Sequence, residues 1–299
     1  MRAHPVVWAL RAAWLILPFT VGDSLSGALD GRSTPVVVVV ATLGWTVWAA
    51  VLVASLVAHP VALTVLRVLA PAAPLAAVAA LTVWAPDEVS SGHLALGAAG
   101  VAAALVAATA ALSGATADDY VDGASYGAER RFALRVPVAF LMGPVPVFWV
   151  LLVGGCTVGP ILLAARQWVA GSIVTAVGLA AAVPATKAFH ALSRRWLVFV
   201  PAGATLIDHL GLVDPVLFPA KRITSFGPAL AGTTATDLTR SATGLVLEIT
   251  FDAPVEVTAR TSKSEGEVEL VRAVLVSPAR PGAVVVEAAS RGLPTPTSG

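Results

Sequence analysis

The residues most suggestive of chemistry sit between two long apolar stretches. Asp118-Asp119-Tyr-Val-Asp122 gathers three carboxylates, and Gly123-Ala-Ser125-Tyr-Gly127 follows at once. Grouped carboxylates can hold a divalent cation against phosphate, and Gly-x-Ser-x-Gly is the pattern of a nucleophile elbow. An elbow needs a buried strand before its serine and a helix after it, whereas acidic residues precede Ser125. The carboxylates lack the further aspartates that membrane phosphotransferases carry in fixed motifs. The stretch therefore reads first as a solvated acidic loop between spans.

Other constellations are sparse. His4, His59, His93, His190 and His209 show no HxxxH or HExxH spacing, and no GxxxxGK[ST] loop occurs. The single Cys156 excludes intrachain disulfides and cysteine-rich metal frameworks. No catalytic residue, cofactor or metal ligand is assigned. The binding candidates are cations: Lys221 and Arg222, adjacent in a turn and suited to phosphate or an anionic lipid, and Arg67, inside an apolar stretch. For the first two a plainly solvated turn is the competing reading.

The elements that would carry these residues are of two kinds. Apolar types make up 57% of 299 residues and charged types 12%, about half the charge of an ordinary soluble domain. The shortage lies at the N-terminal end: residues 1–195 hold 11 basic and 8 acidic residues, and residues 196–299 hold 8 and 10 in about half the length. A net charge of +1 removes a general nucleic-acid surface. The arginine excess over lysine, 16 to 3, suits a GC-rich genome.

About 20 apolar residues in a helix cross a bilayer core. Six stretches qualify, near 5–22, 35–57, 61–85, 94–115, 136–163 and 168–185. The fifth is over-long and holds Pro137, Pro144, Pro146 and Pro160, which predicts a kinked or tilted helix ending at a turn over Ala165-Arg166-Gln167. Its prolines and glycines also suit a broken helix lining a cavity. The first stretch has a second reading as a cleaved signal, with Ser26-Gly27-Ala28 beyond it. Gly155 and Gly159 have GxxxG spacing, and Ala95, Ala99 and Ala103 repeat on one face, both patterns of close helix packing.

With the N-terminus inside, the inner side receives Arg2, Arg11, Arg67, Arg130, Arg131, Arg135, Lys187, Arg194 and Arg195, and the outer side Arg32 and Arg166. The positive-inside rule thus predicts a multi-pass plasma-membrane protein with both termini cytoplasmic. Asp87 and Glu88 then lie outside, with Trp84 and Trp168 at outer interfaces. Arg11 and Arg67 lie near inner ends, where long stems snorkel to the headgroups.

After residue 194 the runs become short. Strands are expected at 196–200, 205–207, 216–218, 223–226, 245–251, 255–260 and 268–276, with a Gly/Thr/Ala-rich loop before 245. The segment 281–291 is ambiguous; Pro281 at a first helical position favours a helix. Residues 293–299 read as a disordered tail. The predicted architecture is a transmembrane helix bundle over 1–193 and a small β-rich domain over 194–292.

Arg194-Arg195-Trp-Leu-Val-Phe-Val-Pro-Ala-Gly203 and Asp214-Pro-Val-Leu-Phe-Pro-Ala-Lys-Arg-Ile223 resemble the start of bacterial PH-like domains. Through motifs such as Pro60-Val-Ala-Leu-Thr-Val-Leu-Arg-Val-Leu-Ala-Pro71, the whole chain resembles an uncharacterised family of multi-pass membrane proteins of high-GC Gram-positive bacteria. The resemblance implies a PH-like β domain and no reaction, since that fold hosts lipid binding, peptide binding and scaffolding. Three functions are then open: a non-enzymatic scaffold docking a protein or lipid partner through 194–292, a transporter or channel subunit, and an enzyme on a lipid-linked substrate.

Overall fold

The computed structural model describes residues 3–83, 91–261 and 264–296. The expectations for Arg2, Trp84, Asp87 and Glu88 lie outside the described residues. Helices run α1 (Pro5–Leu29), α2 (Thr34–Leu56), α3 (Pro60–Leu69), α4 (Ala72–Val83), α5 (Ser91–Leu112), α6 (Gly114–Asp122), α7 (Val138–Met142), α8 (Pro144–Trp149), α9 (Gly155–Ala164), α10 (Trp168–Ser193) and α11 (Pro281–Ser290). A π-helical turn, Val150–Gly154, joins α8 to α9.

Six helical stretches are long and apolar enough to cross a membrane: Pro5–Leu29, Thr34–Leu56, Pro60–Val83, Ser91–Leu112, Pro144–Ala164 and Trp168–Ser193. The fifth begins at Pro144, not near 136. Gly143 breaks the chain there, and Val138–Met142 forms a separate short helix. Its far end is the expected turn, with Arg166 at φ 62°. In α2 only Val51, Ala54 and Ser55 are buried, and Phe19, Trp45 and Val169 are exposed. Helices with so much apolar surface exposed have the character of membrane-crossing helices.

The chain divides into two units, and not by a single cut after residue 193. The first unit is Met1–Thr116 with Val145–Phe189; the second is Ala117–Pro144 with His190–Gly299. The segment between the fourth and fifth long helices thus belongs with the C-terminal β region.

Within the first unit, prolines open helices where a missing N–H costs nothing. Pro5 and Pro60 follow His4 and His59, whose Nδ1 atoms accept the N–H groups of Val6 and Val61. Pro18, inside α1, is the costly case. It cannot donate to the carbonyl of Trp14. The Trp48 indole of α2 donates to that carbonyl instead (3.1 Å), and the Trp14 indole donates to the Trp48 carbonyl (2.9 Å). Trp149 likewise donates to the Val68 carbonyl in the last turn of α3 (2.8 Å). Where no water reaches, such carbonyls must find partners inside the bundle.

Small residues set the close contacts. A side chain at Gly155 would strike the backbone of Gly178, and one at Gly159 would strike Thr175, so α9 and α10 meet backbone to backbone. The GxxxG spacing marks a real seam. The alanine row holds only at its last member: Ala95 and Ala99 are exposed and Ala103 is buried, beside Gly97, Gly100, Ala104, Ala107, Ala108, Ala110 and Ala111 of α5. Gly97 and Gly100 receive Leu81, Ser24, Val21 and Thr20 from α4 and α1.

The second unit holds two four-stranded sheets. The first has the order β1 (Arg130–Ala133), β2 (Trp196–Val200), β3 (Gly203–Ile207), β4 (Val216–Pro219), antiparallel throughout. The second has the order β5 (Ile223–Pro228), β7 (Leu247–Thr261), β8 (Ser264–Val276), β6 (Thr236–Asp237), with β6 parallel to β8. Aromatic contacts join the sheets through the core, Phe199 to Phe226 at 5.7 Å and Phe218 to Phe251 at 5.1 Å. Gly203, at φ 149°, turns the β2–β3 hairpin where a side chain would strike the Phe218 carbonyl.

Three expectations for this region change. The stretches 245–251 and 255–260 are one strand, β7, whose register shifts between Thr250 and Val255. The loop before it contributes β6. The tail is not free over 293–296: Leu293 is buried, the Pro294 carbonyl accepts the N–H of Phe226 (2.7 Å), and the Pro296 ring lies against Gly227. The C-terminal segment thereby covers the outer edge of β5. Residues 281–290 are helical, as Pro281 indicates.

Candidate functional site

The acidic segment is built into the second unit, against its reading as a solvated loop. Ser113 ends α5 and caps α6, its hydroxyl oxygen accepting the N–H of Thr116 (3.1 Å). Helix α6 then carries Asp118 and Asp122 one turn apart, and both are buried. Asp118 Oδ1 accepts the N–H of Ala133, and Asp122 Oδ1 accepts the N–H of Arg131, each at 2.9 Å.

These two N–H groups are the outward donors of an edge strand. Leu134 donates to the Arg195 carbonyl (3.0 Å), so alternate residues face β2 and the N–H groups of Arg131 and Ala133 face away. Carboxylates at i and i+4 on a helix are about 6 Å apart along its axis. N–H groups at i and i+2 on a strand are about 6.7 Å apart. The two spacings match, and α6 closes the β1 edge with side chains where a neighbouring strand would use backbone.

The two carboxylates differ. Asp122 is fully engaged: Ser125 donates its hydroxyl to Oδ1 (2.9 Å), and Arg130 pairs with Oδ2. Asp118 Oδ2 makes no hydrogen bond, and its nearest cation, Arg280 at the start of α11, is 3.9 Å away and partly exposed. Burial raises the Asp118 carboxyl from its ordinary value to about 7, against smaller downward pulls from the Ala133 N–H, Arg280 and Arg130. Glu129, hydrogen-bonded to Arg131 at 2.9 Å, is held below the usual carboxylate range mainly by that bond.

Ser125 lies after a helix and before a strand, the reverse of the order a nucleophile elbow requires. The carboxylates are engaged by protein donors, and among the described residues no group of three or more His, Cys, Asp or Glu is arranged to hold a metal ion.

Beside this seam lies a buried ion pair. Arg195 Nε and Nη2 donate to the two oxygens of Asp208, each at 2.6 Å, and Nη1 donates to the Arg135 carbonyl (2.8 Å). Asp208 also accepts the N–H of Leu210 (3.0 Å). Arg135 reaches on to the Thr243 carbonyl (2.6 Å). The interspan segment is thus tied to β2, the β3 exit and the loop before β7.

The cationic candidates are not gathered. Lys221 and Arg222 form an exposed 3-10 turn between β4 and β5, and Arg222 donates to the Pro254 carbonyl (3.3 Å). Arg67 belongs to the first unit, in the last turn of α3. Arg11 is half-buried and donates from Nε and Nη2 to the Ser55 carbonyl (2.9 and 2.7 Å), with its guanidinium 4.9 Å from the Trp8 ring centre. It completes an orphan carbonyl at the end of α2. The sequence reading missed Arg195 and Asp208 as a pair, since 13 positions separate them with no motif. The 118/122 spacing was available, but only the position of β1 gives it meaning. No family model, curated protein or solved structure matches the chain.

Proposed function

We propose that this chain is a multi-pass plasma-membrane protein with both termini cytoplasmic, acting as a non-enzymatic scaffold whose PH-like domain docks a protein or lipid partner. The observation that carries this reading is the use of the acidic segment. Of the residues most suggestive of catalysis, Asp118 and Asp122 hold an edge strand in place and Ser125 donates to Asp122. Two chain segments, before β1 and before β2, connect this domain to the helices.

Two features support the details. The pairing of β1 with β2 supports a topology in which the segments after α5 and after α10 share one side of the bilayer. Arg130, Arg131, Arg135, Arg194 and Arg195 concentrate there, which favours the cytoplasmic side. Two sheets packed around one core, with α11 after the last strand, support the PH-like assignment; the strand supplied from between helices and the parallel β6–β8 pair are additions to that pattern.

The test is site-specific photo-crosslinking in cells from exposed Leu217, Lys221 and Leu270 of the full-length protein. A recurrent protein or lipid adduct from these positions supports docking; no adduct from any of them contradicts it.

A transporter or channel subunit is the second reading, favoured by the π-helical turn within the fifth long helix, since such turns are frequent at functional sites. Substrate-dependent uptake into proteoliposomes that is lost when Pro146 and Pro160 are replaced would favour it over the scaffold.

A further inference from the structure

We infer that the clasp between α6 and β1 is a proton-responsive latch, closed around a protonated Asp118 and loosened when that carboxyl ionises. Asp118 and Asp122 make the same kind of contact to alternate N–H groups of one strand. Their remaining partners are unequal. Asp122 has Arg130 and Ser125, whereas Asp118 has one buried oxygen with no hydrogen bond.

A buried carboxylate with a single N–H donor has lost water without replacing it. The charged groups facing Asp118 are Arg280 at the start of α11, Arg130 on β1, and Asp119 on its own helix. Asp122 lies one turn further on. Arg280, at 3.9 Å, is too distant for a hydrogen bond and lowers the cost only in part. Protonated Asp118 retains an oxygen able to accept from Ala133 without a buried charge. The carboxyl titrates near 7, so its charge changes within the range a cytoplasm or an acidified membrane surface spans.

Loosening would free the outward N–H groups of Arg131 and Ala133 and relax the hold of α6 on the first sheet. The latch is therefore a device by which proton concentration changes how firmly the interspan segment holds the β unit.

The test is hydrogen exchange of full-length protein in detergent micelles between pH 6 and 8.5, corrected for the intrinsic pH dependence of exchange. Protection of Arg131 and Ala133 is expected to fall at least tenfold across that range in the wild type and to stay level in Asp118→Asn. Arg280→Gln serves as the second variant, since its side chain is partly exposed; removing this cation is expected to move the midpoint of the fall to higher pH. Level protection in the wild type, or an unmoved or lowered midpoint in Arg280→Gln, overturns the latch. The same fall in Asp118→Asn overturns it equally.

Discussion

The Trp48 indole donates to the backbone carbonyl of Trp14, the one carbonyl of α1 that Pro18 leaves without its usual i+4 donor. A helix defect on one element is thus completed by a side chain on another. In water this arrangement would be a convenience; in an apolar solvent it fixes which helices must be neighbours.

Replacing Trp48 by Phe keeps most of the ring and removes the donor. Thermal unfolding in detergent is expected to show a loss of about 1 kcal/mol. Adding Pro18→Ala restores the internal bond of α1 and should recover most of that loss. An additive double mutant would contradict the coupling.

At the α9–α10 seam, Gly155→Val places methyl groups against the Gly178 backbone. Over-packing of this kind costs about 1–3 kcal/mol. Gly154→Ala, one position away and meeting only the Val150 side chain at an ordinary contact distance of 3.9 Å, is expected to change stability by less than about 0.5 kcal/mol. Equal effects at the two positions would contradict the seam.

The helical half was readable because its signal is redundant. Twenty apolar residues announce a span whatever their order, and each expected span overlaps one of the six long helices. The β half was readable strand by strand, since alternation in Leu245–Phe251 needs only a local window. What the sequence concealed is long-range. Nothing near Arg130-Arg-Phe-Ala133 indicates a partner strand as distant in sequence as Trp196–Val200, and the strand is too short to stand out between acidic and apolar neighbours. Asp118 and Asp122 therefore read as solvated, because their burial depends on β1 and β1 depends on β2. Leu293 and Pro294 were lost in the same way, their role set by β5.

The Arg195–Asp208 pair is buried on both sides, with side chains at most 2% exposed. Asp208→Ala strands the guanidinium and is expected to cost about 3–5 kcal/mol. An Arg195→Met, Asp208→Leu double variant should be distinctly less destabilised than Asp208→Ala. Chemical denaturation of the β unit in the intact protein measures both.

Asp118 gives the β unit a pH dependence of known sign. Its carboxyl rises from 3.8 to about 7 on folding, so the folded state keeps a proton that the unfolded chain releases above about pH 4. The contribution is complete below that point and is lost as pH rises through 7, by about 4 kcal/mol for this group alone. Asp118→Asn is expected to flatten this slope and to exceed the wild type in stability at pH 8. Parallel slopes in melting experiments from pH 5 to 8 would contradict the assignment.

Pairing of β1 with β2 is what makes the interspan segment part of the C-terminal unit, and a disulfide can report it directly. Arg131 and Val198 face each other as a pair without mutual backbone bonds, the closer of the two antiparallel geometries. In a Cys156→Ser background, Arg131→Cys with Val198→Cys in native membranes is expected to form an intrachain disulfide under mild oxidation. Both thiols remaining free, and equally open to a water-soluble alkylating reagent, would contradict the fold described.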